Sequence, residues 1–128
     1  MEKIWRDGIH FGSIVDLTGL LDAGADVDSR DRFGQTGLMI AARTGSSAVV
    51  RLLIDRGASL DHTAKYGLSA LMLAVLNGHT EIVRMLVEAG ADRNIRGTGA
   101  PGFAGKTALD LATGRGNVDM ISILRDGA

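Results

Sequence analysis

Two stretches of the sequence, 33 residues apart, decide the fold. Asp31–Ala42 reads DRFGQTGLMIAA, and Ala64–Val75 reads AKYGLSALMLAV. The second halves of the same units also match, since Ala48–Ala58 (AVVRLLIDRGA) lies over Glu81–Ala91 (EIVRMLVEAGA). A fixed period over matching side chains is the signature of an internal repeat. It predicts a chain of similar units stacked in one dimension.

Glycine and apolar side chains follow the same period. Eighteen of the 128 residues are glycine. Three glycine series keep the 33-residue spacing: Gly12, Gly45 and Gly78; Gly24, Gly57 and Gly90; and Gly34 and Gly67. In one unit Leu38, Ala41 and Ala42 have the i, i+3, i+4 spacing of a buried helix face, and residues 49–53 mark a second short helix. Each unit is therefore predicted to be a pair of helices, with glycines at the turns.

The composition favours a folded helical domain. Hydrophobic residues make up 45% of the chain and charged residues 23%, which supplies enough apolar surface for a core. Only 4% of the residues are aromatic, so we expect closely packed short helices rather than a β-sandwich. The length of 128 residues predicts a single domain, 1–128.

Charge and residue content exclude several classes of function. The formal charge of −1 predicts that the chain has no nucleic-acid partner. The absence of cysteine excludes a disulfide, a thiolate zinc site and a cysteine nucleophile. His10, His62 and His79 lack the i, i+4 spacing of a helical zinc pair, so no metal is expected. No apolar run approaches the length of a membrane span, and we expect a cytoplasmic protein with no membrane partner.

The repeat resembles the ankyrin repeat family. Its period of 33 is that of the family, whose first helix begins with a Thr-Pro-Leu-His pattern. Gly78–Asn94 (GHTEIVRMLVEAGADRN) is similar to the family sequence almost throughout, and the resemblance covers about 30–128. It implies an all-α solenoid of stacked helix–turn–helix units with projecting turns. It also implies a non-catalytic module that binds another protein, and we expect a monomer with no cofactor.

The chain departs from the family at the start of each first helix. The tetrapeptide sites read Thr36–Met39 (TGLM), Ser69–Met72 (SALM) and Thr107–Asp110 (TALD), so the proline and the histidine are absent each time. The hydroxyl residue remains, and we expect it to cap the helix. The two methionines are expected to pack as flexible apolar filler in place of the histidine.

The spacing lengthens once, between the third and fourth units. Gly67 and Gly105 are 38 residues apart, which places five extra residues within 96–105. An extended loop at a turn is the simplest interpretation. The predicted repeats are then about 1–30 (an N-terminal cap), 31–63, 64–96, and 97–128 (a C-terminal cap that carries the insertion).

The insertion contains a motif from a different class of protein. Residues 100–107 (APGFAGKT) satisfy a relaxed phosphate-loop pattern, with alanine in place of the first glycine. A working loop of this kind needs a buried strand before it and a carboxylate from another strand, and the sequence offers neither. Gly105 and Thr107 are also the turn glycine and N-cap that the repeat requires. ATP or GTP binding is kept as the alternative function, and a purely structural or engineered scaffold is the third possibility.

Alignment of the units predicts two further roles. Trp5 lies over Leu38 and Leu71, which places the indole in the core. His79 follows the glycine between the two helices of its unit, and we expect it to cap the second helix.

The turns are the part of the unit whose side chains the repeat does not specify. We define the turn tips as residues 30–35, 63–68 and 96–106. They contain five basic residues and one acid, a local charge of +4 in a chain of net charge −1. Exposed aromatic and arginine side chains supply most of the binding energy at protein interfaces, and local charge steers association. We therefore expect a protein partner with an acidic surface, bound through the turn tips and the adjoining faces of the first helices.

Ten residues are predicted to contact this partner: Arg32, Phe33, Gln35, Arg43, Lys65, Tyr66, Leu68, Leu76, Phe103 and Lys106. The tip residues are expected to lie outside the stack, so replacing them should barely change folding. Four glycines in the inserted loop carry a large ordering cost, and we expect segment 97–104 to be mobile until a partner binds.

Overall fold

The described part of the chain folds into four pairs of α-helices, with one short 3-10 helix at Lys65–Gly67. The computed structural model describes residues 1–126, so the last two residues of the predicted C-terminal cap lie outside the described part. The helices are Lys3–Phe11 (α1), Ile14–Asp22 (α2), Gly37–Thr44 (α3), Ser47–Asp55 (α4), Ala70–Leu76 (α5), Thr80–Glu88 (α6), Ala108–Arg115 (α7) and Val118–Asp126 (α8). Residues 1–126 contain no strand, only three isolated bridges at the turns. The predicted all-α solenoid of helix–turn–helix units is confirmed.

The hydroxyl residues cap the first helices as predicted. The side-chain oxygens of Thr36 and Ser69 each accept a hydrogen bond, at 3.3 Å, from the backbone N–H three residues later. Thr107 does the same at 3.2 Å before α7. At its other end α3 stops at Gly45, whose φ of +87° is a left-handed conformation that glycine adopts without a steric penalty.

The helices form two layers that hold the core between them. The first helices α1, α3, α5 and α7 contact one another in succession, and so do the second helices α2, α4, α6 and α8. Leu53 and Leu86 are fully buried at equivalent positions, and Trp5 is 3% exposed, as predicted for a core residue. Units approach closely at Gly37, where an added Cβ would lie 2.9 Å from the Ile9 side chain.

Carboxylates join neighbouring units at the ends of the second helices. The Asp28 carboxylate accepts hydrogen bonds from the backbone N–H and the hydroxyl of Ser59, at 2.9 and 3.0 Å. At the equivalent positions 33 residues later, the Asp61 carboxylate accepts one from the backbone N–H of Asp92, at 2.8 Å. These bonds hold each turn against the next and fix the spacing of the stack.

His79 is the N-cap residue of α6, as predicted, and its carbonyl accepts a hydrogen bond from the Val83 N–H. Its side chain, however, makes no capping hydrogen bond. The Nε2 atom instead lies 3.0 Å from the carbonyl oxygen of Arg43, one unit earlier, and the ring packs against Gly45. The imidazole therefore links two units, because the side chain reaches back across the unit boundary instead of folding onto its own helix.

The inserted residues form a compact loop with a hydrogen-bonded stem. Gly97 donates its N–H to the Lys106 carbonyl and accepts from the Gly105 N–H, both at 2.9 Å. An added Cβ on Gly97 would lie 2.3 Å from the Phe103 carbonyl oxygen, so only glycine fits this stem. The Thr98 N–H also donates to a carbonyl of the preceding turn at 2.7 Å. These bonds hold the stem of the loop, and the mobility of segment 97–104 stays a prediction.

None of the helices in residues 1–126 is both long and apolar enough to span a lipid bilayer.

Candidate functional site

The tip at residues 31–35 is built around one carboxylate. The Asp31 Oδ1 atom accepts hydrogen bonds from the backbone N–H groups of Phe33 and Gln35, both at 2.9 Å. This turn projects Phe33 outward, with 64% of its surface exposed. The Arg32 guanidinium carbon lies 4.9 Å from the centroid of the Phe33 ring, within range of a cation–π interaction. The tip thus presents a flat apolar ring beside a positive charge.

The next tip has a different backbone because its carboxylate is missing. Ala64 occupies the position equivalent to Asp31, so no side chain accepts from the corresponding N–H groups. Tyr66 has a φ of +64° and is the only non-glycine residue in the left-handed region within residues 1–126. Its carbonyl accepts the hydrogen bond from the N–H of Thr98, at 2.7 Å. This strained residue is therefore held in place by the inserted loop of the following unit.

Tyr66 is also packed through its side chain. The ring centroids of Tyr66 and Phe103 are 5.6 Å apart with an interplanar angle of 39°, and the Lys65 Nζ atom lies 4.9 Å from the Tyr66 centroid. Tyr66 remains 37% exposed, whereas Phe103 is half-buried against the core. Phe103 is thus a packing partner of Tyr66 and not a free anchor. Tyr66 lies outside the helix stack, but the inserted loop covers part of its ring, so replacing it is expected to change stability more than replacing Phe33.

A groove lies between the tip at 31–35 and the first helices α1 and α3. It has a volume of about 310 Å³ and is lined by Arg6, His10, Asp31, Arg32, Phe33, Gln35 and Arg43. The Arg43 Nη2 atom donates to the Gln35 Oε1 atom at 3.3 Å. Four of the predicted contact residues, from the second unit, therefore line one groove.

Sequence reasoning missed the two residues of this groove that belong to the first unit. The signal was present, since His10 precedes Arg43 by one period of 33 and so lies on the same helix face. Arg6 lies one turn before it on α1. The divergence of residues 1–30 from the other units hid both.

The other predicted contact residues are more dispersed. Lys65 and Lys106 are exposed, and Leu76 is half-buried on α5 at the position equivalent to Arg43. Leu68 is only 7% exposed, so its prediction as a surface contact is wrong. Its backbone pairs across the turn with Ala64, and its side chain belongs to the core.

Two of the five basic tip residues have structural roles. The Arg30 Nη1 atom donates to the carbonyls of Gly34 and Thr63, at 2.9 and 3.0 Å. Arg96 is the equivalent residue two units later, and it donates to the Gly105 carbonyl. Arg30 therefore supports its own turn and the next one, and Arg96 supports its own loop.

The phosphate-loop-like segment has the wrong surroundings for a nucleotide. At the start of α7 the Asp110 carboxylate accepts from the Thr107 N–H at 3.0 Å, and the two residues form a capping box. The backbone and side-chain hydrogen bonds with Thr107 lower the pKa of the Asp110 carboxyl from its ordinary value. A negative charge therefore stands at the helix start where a phosphate would need free amides. No strand precedes the segment in residues 1–126, and no cluster of three or more metal-ligating side chains forms in that range.

Comparison with known families agrees with this geometry. A family model of ankyrin repeats, in three copies, matches residues 9–97, which is more than half of the chain. The chain belongs to the ankyrin repeat family. Ankyrin repeats are in general non-catalytic modules for protein–protein interaction. The match ends as the insertion begins, so the division into four repeats, with a C-terminal cap after residue 96, stays a prediction. No curated protein matches the chain.

Proposed function

We propose that this ankyrin repeat protein binds an acidic protein partner through its turn tips and the exposed faces of α1, α3 and α5. The observation that carries the proposal is Phe33, whose ring is 64% exposed at a rigid tip beside Arg32 and the basic groove. A large exposed aromatic ring costs solubility and contributes nothing to the stack. Aromatic and arginine residues at a partly enclosed surface are the usual centre of an interface.

The repeat geometry supports a continuous binding face. His10, Arg43 and Leu76 occupy the same position in three successive units and are at least partly exposed. The first helices that carry them contact one another in order, so these side chains form a row. The row adjoins the tip residues on one side. A partner can therefore contact several units at once, and one copy of the chain, acting as a monomer in the cytoplasm, is sufficient for the proposed role.

The test compares two variants of the full chain as bait in extracts of the native host. Phe33→Ala removes the proposed centre of the interface. Val118→Ala removes a side chain of similar exposure, 75%, from α8, away from the proposed face. The expected result is a protein retained by the wild type and by Val118→Ala but lost with Phe33→Ala.

Calorimetry on that purified partner gives the magnitude. Phe33→Ala should weaken binding by about 2 kcal/mol, close to thirtyfold. Replacing Lys65 by glutamate should act mainly on the association rate and its dependence on salt. The proposal would be contradicted if the affinity for the partner changed neither with these two substitutions nor with ionic strength.

A further inference from the structure

The groove beside Phe33 concentrates positive charge. Arg6, Arg32 and Arg43 line it against a single acid, Asp31, and His10 adds a further basic group. The Asp31 Oδ1 atom already accepts two backbone hydrogen bonds within the tip. Three arginines around one small volume repel one another, which lowers stability unless something binds there.

The three groove arginines form no ion pair with an acidic residue of the described range, 1–126. Within residues 1–126 the ion pairs are Lys3 with Asp7, Arg56 with Asp22 and Arg84 with Glu81. None of them includes a groove arginine. Arg43 makes one hydrogen bond through its side chain, at 3.3 Å, and its Nε atom is buried without a partner in the described part of the chain. The groove therefore carries positive charge that no ion pair within residues 1–126 balances.

The surface changes character one unit further along the solenoid. Leu76 occupies the position of Arg43 in the next unit, so the row runs from basic to apolar between α3 and α5. Packed helices lie about 8 to 10 Å apart. An extended peptide in the polyproline II conformation covers that distance in three residues, at about 3.1 Å each, and its three residues per turn place side chains i and i+3 on the same side.

We infer that this groove binds a carboxylate side chain of the partner, and that an apolar side chain three residues away packs on Leu76. The inference rests on the proposed function and names the segment that the partner presents: an extended stretch with Asp or Glu at one end and Leu, Ile or Val at the other. Arginine binds a carboxylate through paired, charge-assisted hydrogen bonds. Asp31 in the lining favours a singly charged carboxylate over a doubly charged phosphate group.

The test is a chemical-shift titration of the full chain with the peptide acetyl-Ala-Glu-Ser-Ser-Leu-amide. Saturable shifts are expected at the backbone amides of Phe33 and Gln35 and at the side-chain Nε–H of Arg43. Three matched peptides replace Glu by Gln, replace Glu by phosphoserine, or replace Leu by Ala. Each should bind less tightly, the Gln peptide by about tenfold or more, as expected when a charge-assisted hydrogen bond is lost.

Variants of the chain locate the site. Arg6→Gln and Arg43→Gln, alone and together, should weaken binding of the Glu peptide, and circular dichroism checks that each variant is folded. Arg51→Gln is the matched control, because Arg51 is exposed on α4 and does not line the groove. Arg43→Lys keeps the charge but loses the paired donors, and should bind with intermediate affinity.

Three outcomes overturn the inference: equal binding of the Glu and Gln peptides, tighter binding of the phosphoserine peptide, or equal affinity in the Arg6 and Arg51 variants. None of them touches the proposed function, which is tested by loss of the captured partner with Phe33→Ala. If Phe33→Ala loses the partner but the peptide titration fails, the proposed binding face is supported and only the carboxylate site is contradicted.

Discussion

At the scale of single residues, the exchange of Asp31 for Ala64 between equivalent positions has a structural effect. Asp31 holds its tip by accepting two backbone hydrogen bonds, and Ala64 has no group that can do this. The backbone at Tyr66 instead takes a left-handed conformation, stabilised by a hydrogen bond from Thr98 and by the Phe103 ring. Phe33 and Tyr66, the aromatic residues of these two tips, are therefore predicted to respond differently to substitution.

Tyr66→Ala is expected to lower the free energy of unfolding by about 1 kcal/mol or more, because it removes an aromatic pair and buried ring surface. Phe33→Ala should stay within about 0.5 kcal/mol of the wild type, as for other exposed positions. Tyr66→Phe is the control that keeps the ring. Urea titrations followed by circular dichroism measure all three, and equal losses for Tyr66→Ala and Phe33→Ala would contradict the packing of the loop on Tyr66.

A comparison of two glycines distinguishes the stability cost of backbone strain from that of a close contact. Gly45 and Gly57 have similar left-handed φ angles, +87° and +82°. An added Cβ at Gly45 would lie 2.7 Å from the His79 ring, whereas at Gly57 it would meet nothing within 4 Å. Gly57→Ala should cost about 1 kcal/mol through strain alone. Gly45→Ala should cost about 1 kcal/mol more, because the imidazole must leave its hydrogen bond to Arg43.

The free energies of unfolding of both variants, from urea titration, check this difference. In a His79→Ala background the two glycine substitutions should become nearly equal. If Gly45→Ala still costs more than Gly57→Ala in the His79→Ala background, the imidazole is not the cause of the extra loss of stability.

At the scale of the helix, α7 has a capping box whose charge makes stability depend on pH. The hydrogen bonds with Thr107 lower the pKa of Asp110 in the folded state. A lowered pKa means that the carboxylate stabilises the fold above its unfolded pKa, and that this contribution is lost as the pH falls through the folded value. The wild type should therefore lose stability on acidification below about pH 4, partly through this one residue.

Asp110→Asn removes the titrating group and leaves an acceptor. The variant should be less stable than the wild type at pH 7 and show a smaller fall between pH 4 and pH 2, because it lacks this carboxyl. Thr107→Ala should cost about 1 kcal/mol at pH 7 through loss of the cap. Urea titrations at a series of pH values measure both effects, and parallel pH profiles for Asp110→Asn and the wild type would exclude this role.

The elements that the sequence predicts correctly are those fixed by local chemistry. Helix pairs, the caps at Thr36 and Ser69 and the turn at Gly45 depend on residues close in sequence, so periodicity finds them. The role of His79 and the conformation of Tyr66 depend on contacts with another unit. Leu68 differs from the prediction because a turn residue is expected to be exposed, whereas its side chain points into the core.

At the scale of the whole molecule, stability comes from the junctions between units. Leu86 is fully buried on α6, which contacts both α4 and α8. Leu86→Ala should cost roughly 2 to 5 kcal/mol, through lost burial and the cavity that remains. Val118→Ala, on an exposed site of α8, should cost less than about 0.5 kcal/mol. The unfolding midpoint in urea distinguishes these values, and a loss below 1 kcal/mol for Leu86→Ala would contradict a core shared between units.

The stem of the inserted loop makes this turn a site where further residues can be inserted. The loop leaves and re-enters the solenoid through the adjacent residues Gly97, Gly105 and Lys106, so the distance between its ends does not depend on its length. Residues added between Pro101 and Gly102, both exposed, should therefore cost mainly closure entropy, about 0.6 kcal/mol for each doubling of loop length. A foreign peptide epitope inserted there should be displayed on a chain that unfolds at nearly the same urea concentration as the wild type. The same epitope inserted within α5 should prevent folding.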